Sequence, residues 1–462
     1  MTFTYASLFA GIGGFETALN RLVGRCVFAS EIDKHARKAY EVLYGGDVLH
    51  GDITKINAKD VPDHDLLTAG FPCQAFSVAG NRKGFEDTRG TLFFEIARIA
   101  SAKKPRALLL ENVKGLVGHD KGRTLDTIVK TLNEIGYTVD FEVLNSKYFG
   151  VPQNRERIFI VAVRDDLVTP EPWKIEGNTV VPRGKRRISG YEGVKTFEFD
   201  CPAQAKVTTR LRDILETDVD EKYYLSKEKT AKLVAQLEEN LPAHFPTPND
   251  INNTIRTGGK GSLTAKHNYE YIAEPQIEQF SQGDGVSCCI DANYTKGTAP
   301  GDVGKGRRTH VVEYSRKSGV GKELDIAHTL NSSDWRGLNR NQTQNAVFEE
   351  IRPVLTPDRE EKRQQGRRFK EDGEPAFTLN TQDRHGVAIG RVPRYCIRKL
   401  TPRECWRLQG FTDTQHDAVE GAGVSNSQRY KQAGNAVTVN VVEALGAKLL
   451  SYLTKECEGE AV

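Results

Sequence analysis

The chain has 462 residues, 38% of them hydrophobic and 27% charged, with a formal net charge of +3. That length exceeds one average core and that balance is the one of ordinary globular proteins, so a disordered or fibrous chain is excluded and two domains are expected. No run approaches the ~20 apolar residues that span a bilayer, and the opening MTFTYASLFAGIGG lacks a signal peptide's basic flank, so a cytoplasmic location is expected.

From the N-terminus to about residue 165, apolar and amphipathic runs alternate. TYASLFA precedes FETALNRLV, CVFASEI precedes DKHARKAYEVLY, DLLTAG stands alone, LFFEIARIA precedes RALLLEN, and TLDTIVKTLNEIG precedes RIFIVAVR. This alternation predicts a doubly wound α/β domain, a parallel sheet with helices on both faces. Near Pro170 proline, glycine and a basic cluster replace the alternation, which places a boundary at 172/173. Residues 173–395 are rich in Gly, Asn, Thr, Arg and Lys. They hold short β-like runs (THVVEY, NAVFEE, HGVAIG) and one obvious helix, LSKEKTAKLVAQLEE. NNTIRTGGKG, CIDANYTKG, AHTLNSSDWRG and AFTLNTQDRHG repeat one phrase, a short strand entering a polar, Gly-bearing turn, and read as reiterated hairpins. Lys260, Arg307, Arg308, Arg336, Arg340 and Arg384 are typical of their tips. Such tips read either as solvated loops or as fingers that touch nucleic acid, where phosphate contact is their more frequent use.

After residue 395 helices return. In RKLTPRECWRLQGF, Thr401 can cap a helix, Pro402 suits its first position and Glu404 completes a capping box. RYKQAGNAVTVNVVEALGAKLLSYL reads as a Gly-Asn turn feeding a final helix. The division expected is 1–172, then 173–427 with a helix-bearing hinge block at 396–415, then a C-terminal return over 428–462.

Five local patterns carry chemistry. Ser7 to Phe15 follows a strand and opens a helix, where backbone N–H groups and the helix dipole can meet a polar ligand. Alone, Gly11, Gly13 and Gly14 read equally as a tight packing turn. Glu31 ends the next strand, 20 residues after Gly11, the spacing at which an acid grips ribose hydroxyls, and Asp52 in GDIT can receive an adenine amino group. Cys73 stands just beyond the strand DLLTAG at the carboxyl edge of the sheet, where a nucleophile belongs; a core thiol is the alternative. Glu111 emerges at the same edge, and a carboxyl hydrogen-bonded to N3 of a pyrimidine would make C6 accept a thiolate. Arg155 and Arg157 alternate before IFIVAVR, either to fix a carbonyl oxygen or phosphate or as surface arginines. The eight cysteines form no Cys-x-x-Cys pair, which argues against a disulfide framework or a zinc site.

In this order, these motifs closely resemble the bacterial and phage cytosine-C5 DNA methyltransferases, over about 1–165 and 396–450. The resemblance implies a Rossmann-like S-adenosylmethionine-dependent domain carrying an inserted, mainly β target-recognition domain. It implies that FAGIGGF, with Phe9, Gly11, Gly13 and Gly14, holds the cofactor, that Glu31 binds its ribose, and that Asp52 and Ile53 contact its adenine. Ile32 stands where many members carry an aromatic residue. Cys73, between Pro72 and Gln74, corresponds to the nucleophile, Glu111 beside Asn112 to the catalytic acid, and Gln153 to Arg157 to the cytosine-facing block. Arg157 is then the contact to cytosine O2 with Arg155 in support, and Asn435 helps close the cofactor pocket or position the Cys73 loop. The cytosine is flipped out of the duplex, Cys73 adds to C6, and 5-methylcytosine and S-adenosylhomocysteine result without a metal. The expected partner is double-stranded DNA, met by a monomer; a cognate restriction endonuclease is left open. An RNA cytosine methyltransferase and a catalytically silent DNA-binding regulator are the alternatives. The long recognition region favours DNA, and intact Cys73, Glu111 and Arg157 favour turnover. A dinucleotide-dependent oxidoreductase would share the glycine loop and Glu31 but leave PCQ, ENV and the basic insertion unexplained.

Overall fold

The computed structural model describes residues 2–72, 92–204, 207–239, 311–315, 320–324, 344–346, 350–359, 366–381, 383–391 and 394–454. The N-terminal strand β1 (Phe3–Leu8) is buried almost continuously, the pattern of a strand covered on both faces. It leads to α1 (Gly14–Arg21), β2 (Gly24–Ser30) and α2 (Lys34–Tyr44), whose N-cap Asp33 accepts from the His35 and Ala36 amides. Then follow β3 (Leu49–His50), β4 (Leu66–Gly70), α3 (Leu92–Lys103), β5 (Ala107–Val113), α4 (Arg123–Glu134), β6 (Tyr137–Asn145) and β7 (Glu156–Arg164).

These seven strands form one sheet in the order β3-β2-β1-β4-β5-β7-β6. The order runs outward in opposite directions from β1 and β4, so right-handed crossovers place helices on opposite faces. The loops after β1 and β4 therefore leave the sheet side by side at its switch point, where open α/β sheets bind ligands. One expectation is corrected. β7 is antiparallel to both β5 and β6, which makes the sheet mixed rather than parallel. Only a 3-10 turn over Ser146–Tyr148 interrupts the connection from β6 to β7, too little chain for a crossover, so β7 returns antiparallel. β6 is a strand that the alternation passes over, since only two residues separate it from α4 and it carries Asp140 and Glu142.

The compact unit built on this sheet comprises Met1–Ser226, Ile351–Ala388 and Cys396–Val462. The chain beyond 172 thus stays within it. Trp173 packs edge-on against Phe141, and α5 (Val180–Ser189) sends Lys185 to Asp140 at 2.7 Å and Arg187 to Asp126 at 2.9 Å. Phe197 and Phe199 pack against Tyr452. The proline and glycine near 170–190 mark the approach to a helix, not the limit of the unit.

The second unit is Lys227–Glu350 with Ile389–Tyr395. It holds α6 (Lys227–Glu239), as the sequence predicts, and the antiparallel pair β8 (Val311–Ser315) and β9 (Val320–Leu324), with β10 (Gln344–Ala346) on the other side of β8. A further sheet joins β11 (Glu350–Leu355), β12 (His385–Arg391) and β13 (Arg394–Lys399). The phrases near residues 252, 289 and 327 lie outside the described residues. The fourth is not a hairpin: Ala376 bridges Gln153 in parallel, and the Asn154 amide donates to the Ala376 carbonyl at 2.9 Å.

The chain closes with α7 (Pro402–Arg407), α8 (Asp413–Gly421), α9 (Asn426–Asn435) and α10 (Val439–Leu453). α7 begins with the capping box read from the sequence, Thr401 and Glu404 exchanging bonds with each other's amides. Gly434 and Asn435 end α9 instead of forming a free turn. The run Asn426–Leu453 is long and apolar enough to cross a membrane by composition, but it is broken between α9 and α10, and over half of its most apolar stretch is buried in the fold. A Cβ on Gly446 would lie 2.8 Å from Leu22 Cδ1, which shows how closely α10 seats on α1.

Candidate active site

The loop after β1 is built on left-handed backbone at Phe9 (φ 57°), Gly11 (φ 59°) and Gly13 (φ 82°), a region that costs a non-glycine residue such as Phe9 some strain. Gly13 and Gly14 are required by packing. A Cβ would stand 2.1 Å from the Tyr44 ring in the first case and 2.7 Å from Val437 Cγ1 in the second. Tyr44 in turn donates to the Gly13 carbonyl at 2.8 Å, and Gln415 of α8 donates to Thr17 at 3.0 Å behind it. Gly11 differs, since nothing lies within 4 Å of the position a Cβ would take. Its amide donates to Glu31 Oε2 at 2.9 Å, and the Asp33 amide donates to Oε1 at 2.7 Å. Two backbone amides thus fix the Glu31 carboxylate at the end of β2 and leave it further acceptor capacity. Ile32 is 71% exposed beside it.

Asp52 caps the 3-10 turn Ile53–Lys55, accepting from the Thr54 amide and hydroxyl. The Ile53 side chain lies in the core, and its carbonyl accepts from Arg98 at 3.1 Å. Asn435 is exposed at the end of α9. Beneath the loop, Glu16 of α1 is fully buried, and burial pushes its carboxyl up to about 7. The Ser7 and Tyr40 hydroxyls beside it pull the other way, yet neither carboxylate oxygen has a partner at full hydrogen-bonding geometry. Burial likewise pushes the Cys26 thiol up to about 12, an inert group by that measure.

On the other side of the switch point, antiparallel pairing sets Glu111 opposite Phe159 and Val113 opposite Arg157. Glu111 and Arg157 are therefore diagonal neighbours on one face. Arg157 Nε lies 3.0 Å from Glu111 Oε1, both side chains being mostly buried. Gly70, which ends β4, stands opposite Glu111 and leaves room for it; a Cβ there would be 3.5 Å from Oε2. Asn112 is buried, and its side-chain amide donates to the Phe71 carbonyl at 2.9 Å. That bond fastens the end of β4 to β5 just before the exposed Pro72, so Asn112 holds backbone where the sequence suggested substrate contact. Cys73 and Gln74 lie outside the described residues.

The alternating face read for Arg155 and Arg157 is not formed. The alternation that would put Arg155 beside Arg157 needs both in a strand, but β7 starts at Glu156. The buried Arg155 guanidinium donates to the carbonyls of Leu379 (3.0 Å), Gly434 (3.4 Å) and Ala436 (2.8 Å). Burial, with the like charge of Arg157 nearby, lowers its pKa.

The roles of two glutamines, Gln153 in the Gln-x-Arg-x-Arg block and Gln409, are set by distant chain that nothing local marks. Gln153, fully buried, donates to the Leu408 carbonyl at 2.9 Å and accepts from the Leu379 amide. Gln409 donates to the Ala433 carbonyl at 2.7 Å and accepts from Thr438. Arg384, expected at a hairpin tip, lies over the Tyr430 ring at 5.2 Å. Lys260, Arg307, Arg308, Arg336 and Arg340 lie outside the described residues. Among the described residues, His416, Asp417 and Glu420 are the one group spaced to hold a metal. Both His416 nitrogens already face partners, Asp417 and Arg429, and Arg429 also binds Glu420, so guanidinium charge fills the place of a cation.

The sequence model of the C-5 cytosine-specific DNA methylases matches residues 3–451. The orphan methyltransferase M.SPRI of Bacillus phage SPR is 48% identical over 98% of each chain. The orphan methyltransferase M.Rho11sI of Bacillus phage rho11s is 44% identical over 98% of this chain and 99% of its own. The type II methyltransferase M.HpaII of Haemophilus parainfluenzae is 35% identical over 98% of this chain and 90% of its own. The glycine loop with Glu31 on one side of the switch point, the carboxyl–guanidinium pair on the other, and matches over nearly the whole chain agree: the chain belongs to the C-5 cytosine-specific DNA methylase family.

Proposed function

We propose that this chain transfers a methyl group from S-adenosylmethionine to C5 of a cytosine flipped out of double-stranded DNA, with Cys73 as the nucleophile. The observation that carries the reading is the Glu111–Arg157 pair at 3.0 Å, one strand away from the β4 exit that leads to Cys73. N3 and O2 of a cytosine are adjacent atoms, and two side chains already in contact can address both, Glu111 at N3 and Arg157 at O2. A guanidinium held there has one orientation to offer, which keeps the reorganisation at the moment of reaction small.

The chain's residues also suit the cofactor. Gly11 leaves open space, Glu31 offers acceptors to vicinal ribose hydroxyls, exposed Ile32 offers an apolar surface, and Asp52 stands at the end of the third strand. S-adenosylmethionine, when bound, supplies an electrophilic methyl group. The Cys73 thiolate adds to C6, and the electron pair so displaced reaches N3, where Glu111 supplies a proton or hydrogen bond. C5 becomes nucleophilic and takes the methyl group. Loss of the C5 proton and departure of Cys73 restore the ring.

The second unit, Lys227–Glu350 with Ile389–Tyr395, is assigned to reading the target sequence. Two relatives from Bacillus phages are named orphan methyltransferases, which supports action without a companion endonuclease inside a bacterial or phage-infected cell. The monomer expected from the sequence is kept as part of the proposal. The test is base-resolution 5-methylcytosine sequencing of DNA from a methylation-free bacterial host expressing the chain, beside a Cys73→Ser control. Methylation confined to one short motif and absent from the control is expected. An unmethylated genome in the presence of soluble protein would overturn the reading in favour of RNA or a silent regulator.

A further inference from the structure

We propose that Arg155 is a positioning residue that couples the cofactor loop to the cytosine-facing pair through the short segment 434–438. The inference rests on the reading above. Arg155 is only 2% exposed, and its fork reaches two carbonyls two residues apart, Gly434 and Ala436, together with that of Leu379. Burying a guanidinium against neutral carbonyls is costly, and packing alone would be served better by an apolar side chain. The geometry explains the charge: a planar, multidentate donor locks two peptide groups of one short segment in a way that a single ammonium cannot.

What the locked segment touches gives the contact its consequence. Val437, one residue beyond Ala436, closes on the cofactor loop, since a Cβ on Gly14 would meet Val437 Cγ1 at 2.7 Å and its carbonyl at 3.0 Å. Gly434 is pressed against the chain next to Leu379, where a Cβ would meet the Asn380 carbonyl carbon at 2.7 Å. Thr438 binds Ser146 at 2.8 Å and Gln409 at 3.0 Å, which anchors the segment's far end. On the other side of Arg155, two residues along the chain, Arg157 holds Glu111. One stretch of five residues therefore leans on the cofactor loop and, through Arg155, sets where β7 begins. Ordering of the loop by the cofactor is transmitted to the Arg157–Glu111 pair, and by linkage a cytosine seated on that pair tightens the cofactor by the same factor.

The experiment titrates S-adenosylhomocysteine calorimetrically into the full chain, with and without a saturating duplex carrying the methylated motif. Wild type, Arg155→Lys and Val437→Ala are compared. In the wild type the duplex is expected to tighten S-adenosylhomocysteine about fivefold or more, within the usual range of coupled sites. In Arg155→Lys each ligand alone should bind within about threefold of wild type while the coupling falls below about twofold, with kcat reduced more than KM for DNA. Val437→Ala, at the other end of the link, should weaken the coupling with Arg155 intact, and it keeps the test open should Arg155→Lys fail to fold. Full coupling retained in either folded variant, or none in an active wild type, overturns the proposal. A wild type that methylates no DNA fails the functional reading instead.

Discussion

Glu16→Gln is expected to stabilise the protein, increasingly so as the pH rises. Glu16 lies fully buried under the cofactor loop, and burial raises its carboxyl from an ordinary 4.5 to about 7. Between those values the folded chain holds a proton that the unfolded chain has released, so stability falls as pH increases through that window and the whole penalty is present above it. The difference amounts to about 3 kcal/mol at pH 8. Glutamine keeps the shape and cannot ionise. Thermal unfolding of wild type and Glu16→Gln at pH 5 and pH 8.5, at fixed ionic strength, should show the variant's advantage growing by roughly 3 °C at the higher pH. A melting difference that does not change with pH would refute the reasoning, because it would mean that the carboxyl is already ionised or solvated in the folded chain.

The buried Arg398–Glu404 pair, 2.7 Å apart and almost without exposure, also holds the Thr401 amide at the start of α7. Glu404→Gln leaves the guanidinium without its counter-charge and should cost about 3–5 kcal/mol in thermal or denaturant unfolding; a loss below about 1 kcal/mol would remove the pair from the account. Asn112→Ala releases the Phe71 carbonyl at the root of the Cys73 loop. Single-turnover methylation should slow by roughly 10- to 100-fold, the effect of a misplaced reactive group, with S-adenosylhomocysteine affinity unchanged; weakened cofactor binding instead would show that Asn112 supports the other half of the site.

What the sequence made legible was local. The capping box of α7 needs only Thr401, Pro402 and Glu404, and it forms as read. Glu31 is found by its distance from Gly11, because strand, loop and helix lengths in an α/β unit vary little, and its carboxylate does meet the Gly11 amide. Glu111 and Arg157 are likewise brought together at the expected edge. What escaped depends on chain far away. The direction of β7 follows from a connection without a crossover helix, which a list of apolar runs does not reveal. Arg155 differs from Arg157 because the strand begins between them, so period-two alternation assigns it to the wrong neighbours. Gln153 acquires its role from Leu379 and Leu408, more than 200 residues later, and α5 joins the first unit through Asp126 and Asp140 of earlier elements. The tips read at Lys260, Arg307, Arg308, Arg336 and Arg340 lie outside the described residues.

The seat of α10 on α1 sets a schedule for synthesis. Leu19 and Leu22 receive Gly446, Arg21 pairs with Glu443 at 2.9 Å, and Arg106 donates to the Tyr452 carbonyl at 2.9 Å. The sheet through Arg164 leaves the ribosome roughly 15–60 s before Leu453 at ordinary elongation rates. During that interval α1 offers an uncovered apolar face beside a sheet whose seven strands have all been made, and the whole second unit emerges before that face receives its cover. A nascent chain that pauses or terminates inside the second unit is therefore a ready client for chaperones and proteases, and every finished molecule has outlasted that exposure.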